Sequence, residues 1–192
     1  SICDANALAH VINFLDKKYG IDNGSITTVH PLLSYQNLLD GPSISYSNPG
    51  ISWKDYSLGR STLNNLIPKN TTAISAVERV IKNIEGKIMS FSYRVPTTIV
   101  SSSDLSLILK KKVGLDDLVN SLKKFQQNNK RIINLIFDDK VSIDFLKTSQ
   151  SVHIDMRWTK VNKELIKLVI WYDNEWAYSL RVIDIINKIR KL

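Results

Sequence analysis

The segment IMSFSYRVP, residues 88–96, alternates apolar and polar side chains along its length. The apolar positions are Met89, Phe91, Tyr93 and Val95, and the polar ones are Ser90, Ser92 and Arg94. A period of two predicts a β-strand, because successive side chains of a strand point to opposite faces. Arg94 lies outside the apolar face, which makes it a candidate site residue instead of a core residue.

Similar patterns on both sides of this segment predict further strands and helices. The other predicted strands are SITTVH at 25–30, DLSLILK at 104–110, SVHIDMRW at 151–158 and LIKLVIWYD at 165–173. Apolar residues spaced three and four apart predict helices over about 5–19, 77–84, 115–122 and 182–189. The turn signal DNG at 22–24 is expected to precede the first strand, and His153 is expected on a polar, solvent-facing strand surface.

Alternating strands joined by short turns, with helices interspersed, predict an α+β fold: a largely antiparallel mixed sheet with helices on one face. Residues 31–68 show no period and hold four of the five prolines. Because this stretch also carries Trp53, Tyr35, Tyr46 and Tyr56, it is too apolar for disorder and predicts a long ordered loop. No glycine-rich phosphate motif occurs, so we assign residues 1–192 to one domain without a dinucleotide-binding half.

Composition excludes several classes of function. The net charge is +8, but the lysines are dispersed and no aromatic RNA motif accompanies them, so no nucleic-acid partner is expected. A single cysteine excludes an internal disulfide and favours a reducing, cytoplasmic setting. No apolar run is long enough to span a bilayer. One cysteine and three scattered histidines show no zinc-ligand spacing, so no metal site is predicted.

Two side chains are candidates for nucleophilic chemistry. Cys3 lies at the start of the first predicted helix, where the helix dipole favours a thiolate. His30 ends the SITTVH strand at the mouth of the long loop, a place where a catalytic base is common. A buried inert cysteine and a hydrogen-bonded structural histidine are the alternatives. His10 is expected at the surface.

Six short motifs occur in a distinctive order: CDAN at 3–6, TTVH at 27–30, LLDGPS at 38–43, GR then LIP within 59–68, RVPT at 94–97 and WYDNEWAYS at 171–179. Their order and spacing resemble the catalytic domain of glyceraldehyde-3-phosphate dehydrogenase over essentially the whole chain. In that family a dinucleotide-binding domain precedes the cysteine. The resemblance therefore implies that this chain is the catalytic half alone, starting at a domain boundary.

The resemblance implies an oxidoreductase of glycolysis or gluconeogenesis, with NAD or NADP bound mainly by the N-terminal domain that this chain lacks. Cys3 would attack an aldehyde to give a thiohemiacetal and then a thioester, with His30 as the base. Asn174 would hydrogen-bond the nicotinamide amide, and Tyr178 would fix the orientation of the nicotinamide ring. By itself the chain is expected to lack dehydrogenase activity.

The resemblance further implies an aldehyde-phosphate substrate and, for the full-length protein, a homotetramer. Arg60, Thr71 and Arg94 match phosphate-contacting positions, and arginine suits that role through its bidentate geometry. In the tetramer, the 31–68 loop would reach toward the cofactor of a neighbouring subunit.

Three positions depart from the family pattern: Ile2 and Asp4 replace hydroxyl residues beside the cysteine, and Leu33 replaces a phosphate-binding threonine. A carboxylate at Asp4 would repel phosphate and oppose thiolate formation at Cys3; it is also a candidate helix N-cap. Two alternatives therefore stay open. One is a non-phosphorylating enzyme similar to erythrose-4-phosphate dehydrogenase, and the other is an inactive homologue that acts as a binding protein.

Overall fold

A computed structural model describes residues 2–44, 51, 52 and 56–191. In chain order the elements are α1 (Cys3–Tyr19), β1 (Ile21–Pro31), β2 (Ser43–Ile44), β3 (Ile51–Ser52), β4 (Ile67–Lys69), α2 (Ala73–Glu78), β5 (Ile88–Val95), β6 (Ser101–Leu109), α3 (Leu115–Asn128), β7 (Ile133–Ile136), β8 (Val152–Asn162), β9 (Leu165–Tyr172) and α4 (Trp176–Ile189). Short 3-10 helices lie at Lys82–Ile84 and Ser142–Phe145.

Seven strands form one mixed sheet in the order β4-β5-β1-β6-β9-β8-β7. The pairs β4–β5, β1–β6, β6–β9 and β8–β9 are antiparallel. The pairs β1–β5 and β7–β8 are parallel. The predicted α+β class with a largely antiparallel mixed sheet is therefore confirmed. Strands β2 and β3 pair separately within the 31–68 loop; Tyr46 and Trp53 of that loop lie outside the described residues.

The core lies between the sheet and the helices α1, α2 and α3. Along α1 the apolar stripe is fully buried at Leu8, Val11, Ile12 and Leu15. It belongs to the same cluster as the inward-facing leucines of β6, namely Leu105, Leu107 and Leu109. Burial of one complete leucine side chain contributes roughly 1.5–3 kcal/mol, so this layer holds the start of α1 firmly over the sheet.

The apolar row of the 88–96 segment does not face the core. Met89 is 75% exposed and Phe91 is 38% exposed, whereas Ile88 and Ser92 are buried. Ile88 belongs to the core between the sheet and the helices, and α2 lies against β5 itself, which leaves the apolar row on the open face of the sheet. Alternation predicted the strand correctly, but it does not reveal which face is covered.

Several predicted boundaries differ from the structure. Helix α1 begins at Cys3, and β1 begins at Ile21, so the DNG segment lies inside the strand. The turn is made at Gly20, whose φ of 72° favours glycine, and a register shift between Ile21 and Asn23 accommodates the following residues. The helix predicted over 77–84 is interrupted: α2 ends at Glu78, and a separate 3-10 turn follows.

One prediction of exposure is wrong, and one predicted helix leaves its apolar residues exposed. His153, expected at the surface, is 2% exposed beneath the 3-10 helix at Ser142–Phe145. Helix α4 forms as expected, but its apolar residues Val182, Ile185, Ile186 and Ile189 are 39–62% exposed. His10 is half-buried.

Burial, and then the charge of Lys140, lower the pKa of His153 to about 4 from an ordinary 6.5. The folded protein therefore keeps His153 neutral, while the unfolded chain protonates it below pH 6.5. We expect stability from this residue to be complete above pH 6.5 and to fall by about 2–3 kcal/mol as the pH drops to 4. Urea unfolding at pH 7.5 and pH 4.5 measures the loss. It should be smaller in His153→Asn; an unchanged loss would contradict this assignment.

Candidate active site

The parallel pairing of β1 with β5 places two predicted site residues side by side. In the register of these strands His30 is the direct partner of Arg94, near the carboxyl ends of both strands. Helix α1 lies over the same sheet and begins at Cys3, so its first turn points toward these strand ends. The site is therefore assembled by one helix N-terminus and two neighbouring strands.

Cys3 and His30 form a close pair. The distance from Cys3 Sγ to His30 Nε2 is 3.5 Å, and His30 Nδ1 lies 2.8 Å from the carbonyl oxygen of Pro31. Because a carbonyl oxygen only accepts hydrogen bonds, Nδ1 of the neutral ring carries the proton and Nε2 is left as an acceptor. Nε2 is therefore the ring atom able to take the thiol proton.

Asp4 is a second acceptor next to the thiol. Its Oδ1 lies 3.4 Å from Cys3 Sγ and accepts a hydrogen bond of 2.8 Å from the Tyr172 hydroxyl. The Tyr172 hydroxyl is also 3.2 Å from Ser103 Oγ. The N-cap interpretation of Asp4 is wrong: the cap position is Ile2, which has no side-chain capping bond. Asp4 instead belongs to a buried network that reaches Cys3.

This environment disfavours the thiolate. Burial, and then the neighbouring charge of Asp4, raise the pKa of the Cys3 thiol well above its ordinary value. Burial, and then the charge of Arg94, lower the pKa of His30. In this chain the pair therefore consists of a thiol and a neutral imidazole near pH 7, in contrast to the free thiolate that the helix dipole alone predicts.

Replacing Asp4 with threonine is expected to lower the pKa of the Cys3 thiol, because it removes a negative charge next to the sulfur. We expect alkylation of Cys3 by iodoacetamide at pH 7 to become at least about tenfold faster, which corresponds to one pKa unit. Rates measured from pH 6 to pH 10 test this. The matched control is Asp22→Asn on exposed β1 surface, and equal acceleration in both variants would contradict a local effect.

Cys3 and His30 open into a cavity of about 570 Å³. Three other predicted site residues, Thr71, Arg94 and Asn174, line the same cavity. Within the described part of the chain, the Nε and Nη1 atoms of Arg94 are buried without a hydrogen-bond partner. Buried donors of a charged group are normally satisfied, so an anionic ligand is the natural partner for them. Oδ1 of Asn174 accepts a 3.0 Å bond from Val100 N, which fixes the side chain at the cavity wall.

Two predicted residues lie elsewhere. Arg60 is absent from the lining of this cavity among the described residues; it forms a 3.0 Å ion pair with Asp40 on the surface. Tyr178 lines a second cavity of about 360 Å³ between α1, α2 and α4. Ile2 lines both cavities, whereas Tyr178 lines only the second and Cys3 only the first. The roles of Arg60 and Tyr178 stay predictions.

The structure also brings in residues that the sequence reasoning passed over. Lys69 ends the short edge strand β4 and lines the cavity, and Glu175 follows Asn174 there. Tyr172 supplies the hydroxyl that holds Asp4. A three-residue strand has no readable period, so Lys69 carried no signal; Tyr172 lies within WYDNEWAYS, where its burial could have been noted.

Comparison with known proteins agrees with the motifs. The family model described as "Glyceraldehyde 3-phosphate dehydrogenase, C-terminal domain" matches residues 2–174. The chain belongs to this family. The cytosolic glyceraldehyde-3-phosphate dehydrogenase of Nicotiana tabacum is 39% identical over 186 residues, which cover 96% of this chain and 54% of that protein. The enzyme of Schizophyllum commune is 37% identical over 186 residues, 96% of this chain and 52% of that protein.

The match to the glyceraldehyde-3-phosphate dehydrogenase family covers Cys3, His30, Arg94 and Asn174 but ends before Tyr178. Glyceraldehyde-3-phosphate dehydrogenase 1 of Kluyveromyces marxianus is 35% identical over 97% of this chain and 55% of that protein. The chain thus spans about half the length of the curated relatives it matches. Among its described residues, no helix combines the length and apolar character needed to cross a membrane.

Proposed function

We propose that this chain is the catalytic half of an aldehyde-phosphate dehydrogenase of the glyceraldehyde-3-phosphate type. The observation that carries the proposal is the contact between Cys3 Sγ and His30 Nε2 at 3.5 Å in a cavity that Arg94 also lines. A nucleophile, a base oriented by a third group and an unpaired guanidinium are the parts that acyl chemistry on a phosphorylated aldehyde needs.

The first step is addition of the thiol to the aldehyde. The Sγ–C bond forms as the C=O π bond breaks, and His30 Nε2 takes the thiol proton and passes it to the former carbonyl oxygen, which becomes the hydroxyl of a thiohemiacetal. Loss of that hydroxyl proton to His30 accompanies departure of the hydride and leaves a thioester on Cys3. The neutral ring and its anchored Nδ1 suit His30 to both proton transfers.

Arg94 would hold the substrate's phosphate, with Thr71 as a neighbouring hydroxyl donor. Its unpaired Nε and Nη1 donors are the support for this assignment. Lys69 adds a second positive charge to the same cavity. A phosphate bound there would satisfy the buried donors and would place the aldehyde carbon toward Cys3.

A nicotinamide cofactor, NAD or NADP, supplies the hydride acceptor when it is bound. Asn174 fits such a ring because its amide is fixed at the wall of the cavity that contains Cys3. Tyr178, which lines the second cavity together with Ile2, would support the ring from there. The remainder of the cofactor would be held by a dinucleotide-binding domain, and the whole protein would be a cytoplasmic homotetramer.

A second candidate function is release of the acyl group to water, as in the non-phosphorylating alternative. Ile2, Asp4 and Leu33, the three departures from the family pattern, all line the cavity. Two of them are apolar, and the carboxylate of Asp4 repels inorganic phosphate from the thioester. A cavity lined by these three side chains favours hydrolysis of the thioester over its cleavage by inorganic phosphate.

The acyl half of the chemistry is testable on the chain as it exists, without a cofactor. The activated ester p-nitrophenyl acetate should acetylate Cys3 with a burst of p-nitrophenolate, seen also as one added acetyl group by mass spectrometry. Cys3→Ser should show neither. Acetylation of lysines instead of Cys3 would overturn the proposed nucleophile.

The fate of the acetyl group then separates the two candidates. Deacylation that accelerates with inorganic phosphate supports the phosphorylating enzyme; deacylation at a phosphate-independent rate supports hydrolysis. The Asp4→Thr variant should restore acceleration by phosphate if the carboxylate is what excludes it.

The redox half is tested by joining the dinucleotide-binding domain of the tobacco relative to this chain. NAD or NADP reduction with glyceraldehyde 3-phosphate, lost in Cys3→Ser, supports the dehydrogenase, whereas the chain alone should give no turnover. A folded fusion that binds cofactor, does not turn over, and contains an unreactive Cys3 would support the binding-protein alternative.

A further inference from the structure

Three potential metal ligands of different chemistry converge at the first turn of α1. Cys3, Asp4 and His30 each direct one ligand atom into a group whose members all lie within 4.8 Å of one another. Sγ is 3.5 Å from His30 Nε2 and 3.4 Å from Asp4 Oδ1. The chain spacing hides this group, because the histidine lies 27 positions after the cysteine and the third ligand is an aspartate.

These separations match those around a tetrahedral zinc ion. Bond lengths of about 2.3 Å to sulfur and about 2.0 Å to nitrogen or oxygen put neighbouring ligand atoms roughly 3.3–3.6 Å apart. The two distances from Sγ already agree with this. The third distance, between the histidine and aspartate ligand atoms, exceeds it by at most roughly 1.5 Å, so ion binding requires only a small movement of one of these side chains.

The hydrogen-bond partners of His30 and Asp4 are of the kinds that orient metal ligands in proteins. His30 donates its Nδ1 proton to the carbonyl oxygen of Pro31, which leaves Nε2 as the donor of an electron pair. Asp4 is held by the hydroxyl of Tyr172, itself in contact with Ser103. A ligating histidine bonded to a carbonyl, and a ligating carboxylate fixed by a hydroxyl, are typical of the outer shell of a metal site.

The charges also balance. When Sγ binds the ion, the thiol proton leaves to solvent, so a thiolate, a carboxylate and a neutral imidazole surround a doubly charged cation. The assembled site is neutral, which matters because Arg94 and Lys69 line the same cavity. Without the carboxylate the site would carry one positive charge among these cations, and binding would be weaker.

We propose that Cys3, Asp4 and His30 form a binding site for a divalent cation of the zinc class, with a fourth position open to the cavity. Sulfur and imidazole ligands select such borderline metals over Mg²⁺ and Ca²⁺, and three protein ligands with one open position are characteristic of exchangeable sites. An ion there occupies the nucleophile, so metal and alkylating agent compete for Cys3. Ligand geometry supports this site, which does not require dehydrogenase activity.

The first test titrates the chain with Co²⁺ and follows its absorption. A tetrahedral site with one thiolate gives a sulfur-to-cobalt charge-transfer band and intense visible bands, and Zn²⁺ should bleach both at a one-to-one ratio. We expect His30→Asn and Cys3→Ser to lose the bands and Asp4→Asn to weaken Zn²⁺ affinity at least tenfold. The matched control is His10→Asn, which makes the same substitution at a histidine outside the ligand group and should leave the spectrum unchanged.

The second test needs no variant. Zn²⁺ should protect Cys3 from iodoacetamide in the unmodified chain, and EDTA should restore the alkylation rate. Only weak octahedral cobalt bands, equal Zn²⁺ affinity in Asp4→Asn and the unmodified chain, or loss of binding in His10→Asn would overturn the proposal. If the thiol is acetylated by p-nitrophenyl acetate but does not bind Zn²⁺, the enzymatic proposal survives and the metal site does not.

Discussion

Replacing His30 with asparagine is expected to slow acetylation of Cys3 by p-nitrophenyl acetate by about 10²–10⁴-fold at pH 7.5, the range that a positioned general base contributes. Burial raises the pKa of the Cys3 thiol, so few molecules hold a thiolate and reaction depends on a base next to the sulfur. Asparagine preserves the polarity of position 30 but cannot take up the thiol proton from Sγ.

The pH profile of the same reaction separates a base from a structural histidine. Burial, and then the charge of Arg94, lower the pKa of His30, so the midpoint of the acidic decline in rate should lie below pH 6.5, the ordinary value for histidine. In His30→Asn this acidic decline should vanish, and the rate should follow thiol ionisation at high pH. His10→Asn serves as the control. A similar rate and an unchanged profile in His30→Asn would show that His30 is not the base.

The sheet could be predicted from sequence because its strands repeat a simple period. DLSLILK carries enough alternation to indicate a strand by itself, and Leu105, Leu107 and Leu109 are buried as that period predicts. The sequence pattern does not show which face of a strand is buried. Met89 and Phe91 face away from the core because the helices pack on the other face of the sheet, with α2 against β5, and no local pattern contains that information.

The sequence predicted which residues lie together in the candidate site better than it predicted their protonation and contacts. Short motifs identified Cys3, His30 and Arg94, and the register of β1 with β5 confirms that His30 and Arg94 are neighbours. The direction in which Asp4 shifts the pKa of the Cys3 thiol was predictable, but the larger effect of burial was not, because it depends on how deeply the first turn of α1 is buried. Nor was the contact of Asp4 with Tyr172, which joins residues 168 positions apart.

Replacing Asp155 with asparagine is expected to destabilise the fold by about 3–5 kcal/mol, the loss typical of breaking one partner of a buried ion pair. Asp155 is completely buried in β8, and Arg157 donates to it through Nε at 2.9 Å and Nη2 at 2.6 Å. Trp171 Nε1 donates to the same carboxylate from β9 at 3.1 Å. Asparagine removes the buried charge and leaves Arg157, whose side chain is largely buried, with only the exposed Asp139 as an ion-pair partner among the described residues.

Urea unfolding at pH 7 measures this loss, and Asp139→Asn is the matched control. Asp139 forms a 3.1 Å ion pair with the same Arg157, but its carboxylate is fully exposed, so its removal should cost only a small fraction of the loss in Asp155→Asn. The comparison therefore isolates the effect of burial on one arginine. Equal losses in the two variants would contradict it. Because Trp171 lies just before Asn174 in the chain, loss of this anchor should also loosen the cavity wall and speed alkylation of Cys3.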